Sequence, residues 1–171
     1  MAQFSSAKLR FPPTLLERLF DDTAHLPSEA NPLRRWGIDE LKDSVARDLE
    51  VLLNSRAGLT EEDMALFPEA AHSVLSFGMT DFVGLSLASP ADRSYICRTL
   101  ERAILTHEPR LQQVQVGLEA SQLTVNRLHF SISAVLVVHP MSEPVNFDAL
   151  LQPSTFQYSV AKSRGVASSN S

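Results

Sequence analysis

The stretch "AILTHEPRLQQVQV", residues 103–116, contains the point at which the chain changes from a helical pattern to a strand pattern. Before Glu108 the apolar residues recur at helical spacing, and beyond Arg110 they alternate with glutamines. Pro109 disfavours the α conformation in the residue before it, so the helix is predicted to end near Glu108. Helices before this joint and strands after it predict an α+β fold, in which N-terminal helices pack on one face of a C-terminal antiparallel sheet.

Amphipathic helices are predicted on the N-terminal side of the joint. The segment "IDELKDSVARDLEVLLNSR", residues 38–56, carries one apolar stripe at steps of three and four. The segment "SPADRSYICRTLERAILTH", residues 89–107, opens with Ser89 as a predicted N-cap and a proline at the first helical position. We also predict a short helix in "PPTLLERLFDD", residues 12–22, and a loop with one short helix around residues 69–76.

Strands are predicted on the C-terminal side of the joint. Apolar residues alternate with polar or small ones over residues 111–118, and again over residues 128–138, which predicts a long strand with one apolar face. The segment "HPMSEP", residues 139–144, is predicted to interrupt the sheet. Short strands are then predicted at "VNF", residues 145–147, and "TFQYSV", residues 155–160.

The bulk composition indicates an ordinary globular protein. A chain of 171 residues is long enough for a real core. We predict a flexible arm over residues 1–13, a single domain over 14–160 and a disordered tail over 161–171. A net charge of -5 argues against sequence-independent binding to nucleic acid or to an anionic membrane. The single cysteine favours a reducing compartment, and neither a signal sequence nor a membrane span is visible, so we expect a cytoplasmic protein.

Candidate catalytic groups are few. The five histidines lack metal-ligand spacing and no nucleotide-binding motif is present, so we expect neither a metal nor a cofactor. Cys97, on an apolar helix stripe, is interpreted as a small buried hydrophobe. The acidic run at residues 61–63 is typical of a solvated helix start. A glycosidase needs two acids roughly 5–10 Å apart, and Glu101 and Glu119 have no evident reason to converge with Glu108.

The joint itself is unusual because Glu108 lies at a helix exit, where the negative end of the macrodipole disfavours a carboxylate. If Glu108 is extended and Arg110 begins a strand, the two side chains point to the same side, roughly 6.5–7 Å apart along the backbone. Local physics leaves three readings open. The pair is a surface salt bridge worth about 0–1 kcal/mol, or Arg110 bonds the last carbonyls of the helix, or the pair is a polar anchor for a partner.

Five segments, taken in order, resemble TssE, the baseplate subunit family of bacterial type VI secretion systems, which is related to the wedge proteins of contractile phage tails. The resemblance covers roughly residues 12–160 and rests on the ordered combination, because each segment alone is a weak signal. The segments are "LLERL" (15–19), "SVARDLEVLLNSR" (44–56), "SVLSFGMTDF" (73–82), "LERAILTHEPRLQQVQV" (100–116) and "EPVNFDALL" (143–151).

The resemblance implies a structural, non-enzymatic protein of a baseplate on the cytoplasmic side of the inner membrane. In that family the Glu-Pro-Arg motif engages the helical core bundle of the wedge, which is built with TssF and TssG. Glu108, Pro109 and Arg110 are therefore the predicted partner-binding residues. The fold is also related to a sheath domain that exchanges strands, so an exposed sheet edge could accept strands from the TssB–TssC sheath.

An enzymatic alternative comes with the same resemblance, since phage relatives carry the label "lysozyme-like". A peptidoglycan-cleaving, muramidase-type hydrolase would use Glu108 as its general acid. That function requires Glu108 in a deep cleft facing a second carboxylate, whereas a scaffold is expected to present it on a convex rim. An adaptor that recruits effectors is a third possibility.

Overall fold

The computed structural model describes residues 10–14, 35–80, 89–119, 127–152 and 154–163. The chain divides into two compact units, residues 1–45 and 46–171, and the first described helix crosses their boundary. In order, the described elements are α1 (Ile38–Asn54), α2 (Glu61–Leu66), two 3₁₀ helices (Pro68–His72 and Val74–Ser76), α3 (Pro90–His107), β1 (Leu111–Leu118), β2 (Leu128–Val138), β3 (Met141–Gln152) and β4 (Gln157–Lys162).

In the first unit, Phe11 and Trp36 form an antiparallel bridge through two backbone hydrogen bonds of 2.8 and 2.7 Å. The helix predicted in residues 12–22 falls almost entirely outside the described residues, as do most of the predicted arm and tail. Strand β4 continues to Lys162. The boundaries of the domain, arm and tail therefore stay predictions.

The two long helices are confirmed. The predicted stripe of α1 is buried, with each member at most 3% exposed: Leu41, Val45, Leu49 and Leu52. Helix α3 begins as predicted, because the Ser89 hydroxyl accepts a hydrogen bond of 3.3 Å from the amide of Asp92. Its inward stripe is also buried: Ile96, Leu100 and Ile104.

The four strands form one antiparallel sheet in the order β1-β2-β3-β4. Directly opposed residues share a face, and the inner face is apolar, as in the pair Ile132 and Phe147, both fully buried. The outer face is polar, as in the exposed pair Ser133 and Asn146. Helix α3 and the part of α1 after Val45 cover the inner face, which confirms the predicted α+β arrangement.

Two strand predictions are wrong in their extent. The predicted interruption at residues 139–144 is a two-residue turn at His139 and Pro140, and the strand predicted at 145–147 belongs to the twelve-residue β3. Pro144 is tolerated inside β3 because β4 pairs with β3 only from Phe147 onward. A proline there deprives no neighbouring strand of a donor on that side.

Strand β1 contains a bulge that the predicted alternation lacks. Between Gln112 and Gln115 the register shifts by one residue against β2, and Gln113 has a positive φ of 52°. The extra residue lets both Leu111 and Val114 face the core. The bulge therefore keeps the start of β1, next to the joint, in contact with the interior.

The segment between α1 and α3 was predicted as a loop with one helix at residues 69–76, and this prediction is wrong. The chain instead forms α2 and then two 3₁₀ helices that are separated by Ser73. Thr60 and Asp63 close a capping box, with amide-to-side-chain bonds of 3.1 and 3.0 Å in the two directions. The acidic run at 61–63 is thus the helix start that its composition predicts.

Side chains from the helices occupy backbone groups at both edges of the sheet. Asn54 exchanges two hydrogen bonds of 2.8 Å with the backbone of Tyr158 in β4, and Glu50 accepts one of 2.7 Å from the amide of Val160. At the opposite edge Glu101 accepts one of 2.8 Å from the amide of Val116. Edge groups occupied in this way are protected against unwanted strand pairing.

We expect Asn54→Ala to lower the free energy of unfolding by about 1–3 kcal/mol, because both backbone groups of Tyr158 lose their partner. Urea denaturation of the full chain measures the change. Asn146→Ala on the exposed outer face is the matched control and is expected to stay within about 0.5 kcal/mol of the parent. Equal effects of the two substitutions would contradict the role assigned to Asn54.

Candidate functional site

The joint between α3 and β1 is short and is closed by backbone hydrogen bonds. Helix α3 ends at His107, and the amide of Glu108 donates to the carbonyl of Ile104 at 2.8 Å. The amide of Leu111, where β1 begins, donates to the carbonyl of Glu108 at 3.0 Å. The helix thus ends where Pro109 predicts, and the three residues 108–110 suffice to turn the chain into the sheet.

Glu108 and Arg110 form a bidentate ion pair within this joint. The Arg110 Nε donates to Glu108 Oε1 at 2.7 Å, and Nη2 donates to Oε2 at 2.5 Å. The backbone amide of Arg110 adds a third bond of 3.2 Å to Oε1. The two side chains therefore lie on the same side, as predicted, and the guanidinium bonds carboxylates rather than the last carbonyls of α3.

The burial of this pair differs from what the sequence suggested. The Glu108 side chain is 7% exposed and that of Arg110 is 21% exposed. The pair is therefore not a surface salt bridge, and Glu108 is not presented on a rim. Pro109, between the two, is exposed.

A third residue, Asp48 of α1, completes the cluster. The Arg110 Nη2 also donates to Asp48 Oδ2, and the Asp48 side chain is 47% exposed. One guanidinium thus faces two carboxylates, which leaves the cluster with one net negative charge at its exposed end. Asp48 is not predicted from the sequence, because no local pattern connects it with a residue 62 positions away.

The environment of Arg110 fixes its charge. Burial by itself lowers the pKa of the guanidinium, but the hydrogen bonds and charges of Glu108 and Asp48 outweigh it and hold that pKa above its ordinary value. The remaining nitrogen, Nη1, is buried without a hydrogen-bond partner among the described residues. Arg110 is therefore a permanently charged, rigidly held group.

The muramidase hypothesis receives no geometric support from this cluster. Both carboxylate oxygens of Glu108 are occupied by Arg110, and Asp48 faces the same guanidinium. The other two candidate acids are engaged elsewhere, because Glu101 bonds strand β1 and Glu119 lies 2.8 Å from the Nδ1 of His129. Each of these acids is therefore engaged in a contact within the fold.

The remaining candidate groups have structural surroundings. Cys97 is half-buried, and burial together with the charge of Glu101 raises the pKa of its thiol, which disfavours the nucleophilic thiolate. In the ranges that the structure describes, no group of three histidine, cysteine, aspartate or glutamate side chains could hold a metal ion. In the same ranges, no helix is both long and apolar enough to cross a membrane.

Comparison with known proteins identifies related chains. A family model described as "Baseplate wedge protein gp25" matches residues 39–141, which include the Glu108–Arg110 joint. The chain is also similar to the "Anti-adapter protein IraD" of Escherichia coli O127:H6 (strain E2348/69 / EPEC), at 31% identity over 68% of this chain and 80% of that protein. The IraD of Escherichia coli O6:K15:H31 (strain 536 / UPEC) is 29% identical over the same shares.

Proposed function

The chain belongs to the family of baseplate wedge protein gp25, and from this premise we propose that it is the TssE-type subunit of a type VI secretion baseplate. The family is structural and generally non-catalytic. The observation that carries the proposal is the family match over residues 39–141, together with the Glu-Pro-Arg joint inside it. The function is assembly of a cytoplasmic wedge with TssF and TssG.

Within this proposal the three residues of the motif have different roles. Arg110 is the binding group, because it is charged and its side chain is 21% exposed. Glu108 is a positioning residue, since it is buried and acts on a partner only through the guanidinium that it holds. Pro109 is exposed and forms the apolar tip of the corner.

The charge of the cluster indicates the chemistry of the facing surface. Its most exposed acid is Asp48, and the cluster carries one net negative charge. A facing surface on the TssF–TssG core bundle should therefore offer hydrogen-bond donors to Asp48 and apolar contact to Pro109. Charge-assisted bonds of this kind give direction as well as affinity.

Contact with the TssB–TssC sheath is the second part of the proposal. Strand β4 has three backbone groups bonded by Asn54 and Glu50, so its edge is the less accessible one. At β1 the bond from Glu101 to Val116 would have to open before a strand could be added. We therefore assign sheath strand addition to β1.

Co-purification with TssF and TssG from the same bacterium tests the wedge assignment. Arg110→Ala is expected to abolish the ternary complex, because it removes the binding group. Arg110→Lys keeps one positive charge against Glu108, and we expect it to fold and still to weaken capture by about tenfold. Arg98→Ala, on the exposed surface of α3, is the matched control and is expected to assemble normally.

Folding of each variant is checked by circular dichroism and thermal melting before the complexes are compared. A folded Arg110→Ala or Arg110→Lys protein that still captures TssF and TssG at the parent level would contradict the role of the motif. Failure of the parent chain itself to form the complex would contradict the baseplate assignment.

A second candidate function is favoured by the similarity to proteins named anti-adapter protein IraD. By that name these relatives act on an adapter protein, and an equivalent role here would also be a binding role without catalysis. The two functions differ in their partner. Stable binding to an adapter protein, with no affinity for TssF and TssG, would favour the anti-adapter role.

A further inference from the structure

The segment that leads from α2 through the two 3₁₀ helices exposes a concentration of apolar side chains. Four of the eight large apolar side chains that the described residues expose lie in this short stretch. They are Leu66 (73% exposed), Phe67 (64%), Val74 (83%) and Leu75 (54%). Single exposed apolar residues are ordinary, but a local concentration marks an interaction surface.

The fold holds this segment in place. The amide of Gly58 donates to the carbonyl of Leu75 at 2.9 Å, and backbone bonds of 2.8 and 3.1 Å tie Met79 to Ser55 and Ala57. On the far side, the carbonyl of Ser76 lies 3.0 Å from the Nε2 of His107 in α3. The apolar side chains are therefore presented by an anchored backbone.

Buried residues alternate with the exposed ones along the segment. Ser76, Gly78 and Met79 are directed inward, and the Ser76 hydroxyl donates to carbonyls within the segment at 2.8 Å. These residues take the inward positions, and Val74 and Leu75 face outward. Their exposure follows from the local hydrogen-bonding pattern.

The same region carries most of the net negative charge of the whole protein. Residues 60–76 contain four acidic residues and no lysine or arginine, whereas the net charge of the whole chain is -5. Two of these acids, Glu62 and Glu69, are exposed beside the apolar side chains. An apolar surface within a field of one sign selects a partner of the opposite sign.

We propose that residues 60–76, which we call the acidic platform, bind a segment of another protein in which apolar side chains are flanked by lysines or arginines. An amphipathic basic helix has this chemistry, since its apolar face covers Phe67 and Val74 while its cations approach Glu62 and Glu69. The platform is separate from the Glu108–Arg110 pair, and the proposal stands independently of the TssF–TssG assignment.

The negative charge of the platform disfavours binding of a second copy of this chain, of an anionic membrane or of a nucleic acid. A symmetric dimer through the platform would place like charges opposite each other, because both copies contribute the same acidic residues. An anionic membrane or a nucleic acid would be repelled for the same reason. A basic protein segment is the occupant that satisfies both the apolar and the acidic parts.

The platform also borders the proposed wedge contact. His107, which lies against Ser76, directly precedes Glu108 in the chain, and its ring packs edge-on against Phe77 with ring centroids 5.4 Å apart. A partner that binds the Glu108–Arg110 corner therefore has the platform within reach. Binding at both places would add affinity without requiring either alone to be strong.

The test uses the full chain and a synthetic helical peptide of leucines and lysines in amphipathic order. Titration followed by NMR is expected to move the backbone amides of residues 60–76, with a matched leucine–glutamate peptide and a scrambled leucine–lysine peptide binding at least about tenfold more weakly. The double substitution Phe67→Ser with Val74→Ser is expected to weaken the first peptide by about tenfold or more. Leu105→Ser, which alters an exposed leucine on α3, is expected to leave affinity unchanged.

Several outcomes would overturn the proposal. One is equal binding of the three peptides, and another is a set of shifted amides that lies away from residues 60–76. A concentration-dependent dimer that the double substitution abolishes would show a second copy as the occupant. Binding to vesicles of phosphatidylglycerol that the double substitution abolishes would show a membrane surface instead. Loss of TssF–TssG capture in Arg110→Ala does not bear on any of these results.

Discussion

Gly78→Ala is expected to lower the free energy of unfolding by about 3 kcal/mol or more, because both the conformation and the surroundings of this residue require glycine. Its φ is +116°, which side chains rarely permit. A Cβ atom there would lie 2.6 Å from the carbonyl oxygen of Ser55 and 2.9 Å from the carbonyl carbon of Arg56. Both contacts are with backbone, so a side-chain rotation cannot relieve them.

The position of Gly78 connects this stability effect with the acidic platform. Gly78 immediately precedes Met79, which forms a parallel bridge with Arg56 just after α1 and is 1% exposed. A displaced Gly78 would therefore release the C-terminal anchor of the platform. We expect the variant to lose binding of the leucine–lysine peptide together with stability, unlike the Phe67→Ser and Val74→Ser double variant, which should melt like the parent.

Thermal and urea unfolding of the full chain measure the effect. Gly58→Ala is the matched control, because a Cβ at Gly58 would meet its nearest neighbour, the carbonyl of Leu75, at an ordinary 3.5 Å. We expect the control to stay within about 0.5 kcal/mol of the parent. A Gly78→Ala protein of parental stability would mean that the bridge between Arg56 and Met79 adapts freely.

The features that the sequence predicts correctly depend on local chemistry. Pro109 restricts the residue before it, so the end of α3 can be assigned from a single dipeptide. Ser89 caps the same helix through a neighbour three residues on. The α1 stripe and the alternation in β2 follow from helix and strand periods. All of these rules act within about one helical turn or one strand.

The features that the sequence does not predict depend on contacts between distant parts of the chain. Asp48 reaches Arg110 across 62 residues, and Asn54 reaches Tyr158 across 104. The length of β3 is decided by its pairing with β2, which outweighs the local signals of Pro140 and Pro144. Glu108 is likewise buried only in the folded chain, and no periodicity encodes it.

This burial changes the interpretation of the motif. The family resemblance predicts that Glu108, at a helix exit, contacts a partner directly. In the folded chain Glu108 accepts three bonds from Arg110, and these bonds offset the unfavourable helix dipole. Arg110 and Pro109 are therefore the residues that we now expect to contact a partner. Glu108 determines where the guanidinium lies.

Glu108→Ala is consequently expected to destabilise the fold by about 3–5 kcal/mol, because it leaves a partly buried guanidinium without its principal partner. Among the described residues the Arg110 Nη1 already lacks a hydrogen-bond partner, so the cluster has little capacity to compensate. Asp48→Ala also removes a negatively charged partner of this guanidinium, but the Asp48 side chain is 47% exposed. We therefore expect its free energy of unfolding to fall by only about 0–1 kcal/mol. Urea denaturation of the two variants makes the comparison direct.

The double variant Glu108→Ala with Arg110→Met separates the cost of an unpaired charge from the loss of the joint. If the unpaired guanidinium causes the instability, the double variant is expected to recover most of it, because removing both charged groups leaves no buried charge without its partner. It should nevertheless fail to capture TssF and TssG, because the binding group is gone. A double variant no more stable than Glu108→Ala would show that the carboxylate supports the joint through the Arg110 amide, and that the guanidinium is secondary.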